Sequence, residues 1–132
     1  MQTAIITGAS VGIGRAAAEA FLAEQFTVFN LSRRPCPVPG VNNIACDLAG
    51  GAGIDAACET LARALDGNRS VCLVHNAAQM RKDSAAGCDS ESLRQVLETN
   101  VVAVNSLNQV LLPLLPASSS VLYVGSTLSE KA

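Results

Sequence analysis

A short apolar run, Ala4-Ile5-Ile6, leads straight into Thr7-Gly8-Ala9-Ser10-Val11-Gly12-Ile13-Gly14-Arg15, and a helical pattern follows at once. Glycines in the spacing G-x-x-x-G-x-G between a strand and a helix constrain the fold more than any other feature of the chain. Glycine permits a tight turn and lets the backbone come close to a pyrophosphate, while the helix N-terminus offers free N–H groups to the anion. No Gly-Lys-Ser/Thr follows, which excludes a kinase-type phosphate loop. A helix that merely packs closely on a sheet could use the same glycines.

Downstream, β-type runs alternate with helical stretches. A helix is expected from about Gly12 to Glu24, with Ala17, Ala20 and Phe21 at helical spacing. Strands follow at Thr27–Leu31 and Asn43–Cys46. The stretch Ile54–Leu65 puts Ile54, Cys58, Leu61, Ala62 and Leu65 on one helical face. Val71–Val74 reads as the fourth strand and Val121–Val124 as the fifth. Between them, Asp89 or Ser90 can cap a long helix that runs to about Leu112, where Pro113 stops it. Continuously apolar strands alternating with helices imply a parallel sheet covered on both faces. Right-handed crossovers then give an α/β, doubly wound, Rossmann-like sheet of five strands, with order 3-2-1-4-5, in one domain over 1–132. In that architecture ligands bind at the carboxyl ends of the strands, so functional residues are expected just after residues 6, 31, 46, 74 and 124.

Composition narrows the partners. With 132 residues, 49% of them hydrophobic and 15% charged, the chain can bury a core and is not a disordered segment. A net charge of −2 and scarce aromatics (three Phe, one Tyr, no Trp) argue against a nucleic-acid surface. No apolar run is long enough to span a membrane, and the first residues do not form a signal peptide. Cys36, Cys46, Cys58, Cys72 and Cys88 form no Cys-x-x-Cys, and there is one histidine, so no metal site is expected. Reduced thiols acting as small apolar residues in a cytoplasmic domain are the reading.

Thr7–Gly14 resembles the cofactor motif of the short-chain dehydrogenase/reductase family. Further matches come in order along the chain: Asp47-Leu48 after the third strand, His75-Asn76-Ala77-Ala78 after the fourth, Asn100 within the long helix, and Gly125-Ser126 after the fifth. The match covers essentially the whole chain and about the N-terminal half of a typical member. It departs from the family's Asn-Asn-Ala-Gly at His75 and Ala78. A plain strand-end histidine is the simpler reading of His75.

The resemblance implies roles. Gly8, Gly12 and Gly14 would hold a dinucleotide pyrophosphate, with Ser10 and Ile13 lining the same site. Asp47 would bond the adenine amino group beside Leu48, or simply form a turn. Asn76 and Ala77 would line the cofactor ribose. Ser32 falls where an NAD-selecting carboxylate would stand, and Arg33 and Arg34 follow it. An uncharged serine does not repel a 2′-phosphate, and guanidinium binds phosphate bidentately. The expected cofactor is therefore NADP(H) before NAD(H). Ser126 would position a substrate oxygen and Asn100 would hold a water in the proton relay, for hydride transfer with a carbonyl or alcohol substrate.

The family's Tyr-x-x-x-Lys is not found here. Tyr123 has Thr127 as its fourth neighbour, and the lysines are Lys82 and Lys131. Tyr123 lies in an apolar strand and reads as core. The expectation is the cofactor-binding fragment of a longer reductase, truncated after strand five and inactive alone. The alternative is a non-catalytic dinucleotide sensor. Surplus apolar residues on helix 90–112 and an open strand 121–124 lead to the expectation of a homo-oligomer.

Overall fold

The computed structural model describes residues 1–127. Its elements are β1 (Gln2–Thr7), α1 (Gly12–Ala23), β2 (Thr27–Ser32), β3 (Asn42–Ala45), α2 (Gly51–Ala64), β4 (Ser70–His75), α3 (Ser90–Leu97), α4 (Ala103–Leu111) and β5 (Ser120–Tyr123). All strand pairs are parallel and the order is β3-β2-β1-β4-β5, as the alternation of strands and helices requires.

The strands alternate their side chains between two cores. Ile5, Leu31, Val71 and Leu73 face Ile54, Ala57, Cys58 and Leu61 of α2 and Ala103, Leu107 and Leu111 of α4. Ala4, Ile6, Val28, Cys72 and Val74 face the other way, against Ala18, Ala17, Phe21 and Leu22 of α1. Both faces of β1 and β4 are thus sealed, which explains why these strands read as unbroken apolar runs. Full burial of each Ile or Leu contributes roughly 1.5–3 kcal/mol. Ala20, expected with Ala17 and Phe21, points to solvent instead, because Ala18 occupies the packed face.

Asp89 caps α3, its carboxylate accepting from Glu91 N (2.9 Å) and Ser92 N (3.4 Å). The Ser92 hydroxyl first, and then these backbone bonds, hold its carboxyl below the usual carboxylate pKa. The expected long helix is interrupted. A π-helical stretch, Glu98–Val102, joins α3 to α4, and a 3₁₀ turn at Leu112–Leu114 contains Pro113. A π turn shifts the side-chain phase by about one residue, and the apolar residues spread around this segment mask that shift. Tyr123 is not core: it is 60% exposed, because β5 lies at the sheet edge and pairs only with β4 among the described residues. Among the described residues no helix is long and apolar enough to cross a membrane.

Candidate dinucleotide site

The carboxyl ends of β1 to β4 open into a cleft of about 300 Å³. Its walls come from the segments after four of the five strands: Gly8, Ser10 and Val11; Ser32, Arg33 and Arg34; Cys46, Asp47 and Leu48; Asn76 to Gln79.

The glycine turn is built for this position. Gly8 and Gly12 have φ of +72° and +60°, a region that side chains rarely adopt. A Cβ on Gly8 would lie 3.0 Å from Ala77 Cα. A Cβ on Gly14 would overlap the Gly8 carbonyl and sit 2.5 Å from Asn76 Nδ2. Backbone bonds fix the turn, with Gly8 N donating to Leu31 O at 2.9 Å. Helix α1 starts with Val11 at its N-cap position, without a side-chain cap and without an acidic residue in the first turn. Its first N–H groups and the positive end of its dipole therefore stay available to an anion.

Asn76 works mainly on the turn. Its Nδ2 donates to Thr7 O and Gly8 O, each at 3.1 Å. Thr7 Oγ1 in return accepts from Asn76 N and Ala77 N, each at 3.0 Å. This stitch ties β1 to β4 where the cleft begins.

The end of β2 is polar and cationic. Ser32 Oγ accepts from Asn30 Nδ2 at 2.9 Å and donates its own proton to Arg34 O. Its hydroxyl hydrogen is therefore spent within the turn. Arg33 and Arg34 are exposed, line the cleft and form no salt bridge among the described residues. Asp47 Oδ1 accepts from Ala49 N at 3.0 Å, which is the turn-forming role, and the residue still faces the cleft. Leu48 is buried beside it and supplies an apolar wall. Burial, and then the charge of Asp47, raises the Cys46 thiol pKa, while Cys58 is pushed up to about 11. Both remain neutral packing groups at pH 7.

Deeper in, Gln79 Oε1 and Thr99 Oγ1 are buried without a hydrogen-bond partner among the described residues, and both residues line the cleft. Burying such atoms unpaired is unfavourable, and the hydroxyl or amide groups of a bound nucleotide would satisfy them. Together with the uncapped helix and the glycine cradle, they fit a dinucleotide.

Other expected site residues lie elsewhere. Ile13 is 67% exposed and outside the cleft lining, because it sits on the solvent face of the first turn of α1. Asn100 lies in the π-helical stretch, with Oδ1 accepting from Gln79 N at 2.7 Å and Nδ2 donating to Gln79 O at 2.9 Å. Its side-chain amide thus holds both the N–H and the C=O of Gln79, which lines the cleft. Ser126 is exposed past the end of β5 and is not part of the cleft wall. His75 is buried, with Nε2 bonded to Asn108 Oδ1 at 2.8 Å, the strand-end role.

Sequence reasoning missed Asn30, which is 1% exposed in β2 and whose Oδ1 accepts from Ala9 N at 2.9 Å. An amide inside an otherwise apolar strand was the available signal.

The sequence matches the short chain dehydrogenase family over residues 2–132. It is 31% identical over 136 residues to an NADPH-dependent 3-dehydrocapnine reductase of Ornithobacterium rhinotracheale, covering 97% of this chain and 48% of that protein. The chain thus spans about half the length of that relative. A short-chain dehydrogenase/reductase from Burkholderia vietnamiensis superposes with a TM-score of 0.89 at 26% identity, over 99% of this chain and 66% of that one. An oxidoreductase of the same family from Brucella ovis, in complex with a partially ordered NAD, superposes with a TM-score of 0.80 at 29% identity, over 91% of this chain and 60% of that one.

Proposed function

The chain belongs to the short-chain dehydrogenase family, and on that premise we propose that it is the cofactor-binding part of an NADP(H)-dependent oxidoreductase acting on a carbonyl or alcohol carbon. The observation that carries the cofactor choice is the end of β2. Ser32 is uncharged and has its proton committed to Arg34 O, and the next two residues bring guanidinium groups to the cleft wall. Each can meet a 2′-phosphate with paired, charge-assisted hydrogen bonds. Gly8, Ser10, Gly12 and Gly14 would hold the pyrophosphate against the start of α1, with Asp47 and Leu48 at the adenine end and Asn76 and Ala77 beside the far ribose. When bound, the nicotinamide supplies or accepts the hydride.

In this reading Ser126 orients the substrate oxygen, and the proton-transferring tyrosine and its lysine are supplied from outside these 132 residues. The segment alone is expected to bind cofactor without turning substrate over. Calorimetric titration of the full-length protein with NADPH and NADH tests the proposal. Tighter NADPH binding supports it, and equal or tighter NADH binding rejects it.

A second reading is a dinucleotide-binding regulatory module that performs no chemistry. It is favoured by Asn100, whose side-chain amide is occupied at both ends by the N–H and C=O of Gln79. Substrate-dependent NADPH oxidation by the full-length protein would exclude it.

A further inference from the structure

A side-chain amide network joins the glycine turn to the arginine-bearing segment. Asn30 is 1% exposed and sits in β2 directly opposite Asn43 of β3. Its Oδ1 accepts from Ala9 N at 2.9 Å, inside the glycine turn. Its Nδ2 donates to Asn43 Oδ1 and to Ser32 Oγ, each at 2.9 Å, and reaches Arg34 O at 3.5 Å. An amide nitrogen has two hydrogens, so the long contact to Arg34 O is the weakest, and Ser32 Oγ holds that carbonyl more closely.

Asn43 extends the network to the far side of the arginines. Its Oδ1 accepts from Cys36 N at 2.8 Å and its Nδ2 donates to Cys36 O at 3.3 Å, so one side-chain amide holds both the N–H and the C=O of a single residue. The backbone is therefore pinned at residue 34 and again at residue 36, while Arg33, Arg34 and Pro35 face solvent. Arginine side chains lose conformational freedom when they grip a ligand, and a fixed backbone reduces the ordering that binding must impose.

We propose that Asn30 and Asn43 are positioning residues for cofactor selectivity: they hold segment 33–36 so that Arg33 and Arg34 are aimed at the 2′-phosphate. The inference rests on the cofactor reading above and adds residues that do not touch the phosphate. Asn30 also links the two anion-facing parts of the cleft, because one amide serves both Ala9 and the Arg34 segment. Asn43 serves only the second, so it isolates the effect.

The test is calorimetric titration of full-length wild type, Asn43→Ala and Arg33→Ala with NADPH and with NADH. Asn43 is exposed, so its replacement leaves the core intact, and thermal melting verifies this. Asn43→Ala is expected to weaken NADPH binding by about threefold to tenfold and to leave NADH binding unchanged, the scale of a lost polar support. A merely structural role would move both ligands together, and an unchanged NADPH/NADH ratio in Asn43→Ala overturns the inference. If wild type prefers NADPH and Arg33→Ala loses that preference while Asn43→Ala keeps it, only this inference fails. If wild type shows no preference, the cofactor reading fails and carries this inference down with it.

Discussion

The ring of Tyr123 stacks on His75, with centroids 5.1 Å apart and planes inclined by 17°. Asn108 ties the pair together, its Nδ2 donating to Tyr123 Oη at 2.9 Å while its Oδ1 faces His75 Nε2 at 2.8 Å. Because that oxygen can only accept, Nε2 must carry the imidazole proton. The lone pair of a neutral His75 then falls on Nδ1, which is buried without a partner among the described residues. The same strand end is held by Val124 N donating to His75 O at 3.0 Å.

This arrangement gives a pH dependence with a definite sign. Burial lowers the pKa of His75 below its ordinary 6.5, and the bond to Asn108 only partly opposes the shift. Unfolded chains take up the proton first as pH falls below 6.5, so the folded state loses stability from there down through the depressed value. Above 6.5 the histidine contributes no slope. Urea unfolding between pH 7.5 and pH 5 should show this loss, and His75→Gln should remove most of it. Equal slopes for wild type and variant would refute the assignment.

What could be read from the sequence follows from what each contact requires. Strand order and both cores were legible, because β1 and β4 are sealed on two faces and so carry unbroken apolar runs. The glycine turn was legible because backbone conformation at Gly8 and Gly12 demands the residue type itself. Tyr123 was misjudged because an edge strand and a central strand have the same composition, and exposure depends on neighbours distant in sequence. Asn30 escaped for the same reason, and Asn100 was legible as a residue but not in its contact. Their meaning lies in partners 21 residues away, Ala9 in one case and Gln79 in the other.

Gly12 and Gly14 should fail for different reasons. Gly12 has φ of +60° and open space around its missing Cβ, so alanine there meets only backbone strain of about 1–2 kcal/mol. Gly14 has no such strain, but a Cβ would collide with Gly8 O and Asn76. Gly14→Ala should distort the turn, cost about 1–3 kcal/mol and weaken cofactor binding at least tenfold. Asparagine, which tolerates the left-handed region, should be accepted at 12 and rejected at 14. Melting curves and NADPH titration of both pairs check this, and equal tolerance at the two positions would contradict the geometry.

Arg33→Ala should discriminate between cofactors. Losing a charged hydrogen-bond partner of the 2′-phosphate costs about 1.5–3 kcal/mol, or roughly tenfold to a hundredfold in affinity. NADH lacks that phosphate, so its binding should change by less than about twofold. Parallel weakening of both ligands would mean that Arg33 supports the loop rather than selecting the cofactor.

Self-association is the last expected property, and it follows from apolar surface. Leu93, Leu97 and Val101 recur every fourth residue along α3 and the π-helical stretch, and they are 47%, 47% and 57% exposed. On β5, Leu122 and Tyr123 are 51% and 60% exposed. β5 is also the sheet edge among the described residues, so one side of its backbone is unpaired and can accept another strand. Covering side chains of this kind contributes up to roughly 1.5–3 kcal/mol each, and a second copy presents the same surface in a symmetric pair. Sedimentation equilibrium of the 132-residue polypeptide should therefore give a mass above 13.5 kDa that rises with concentration. Neither Leu97 nor Val101 belongs to the two cores, so the double substitution Leu97→Glu and Val101→Glu should shift the equilibrium toward the monomer. A single species of 13.5 kDa at all concentrations would show that these faces do not join copies of the chain.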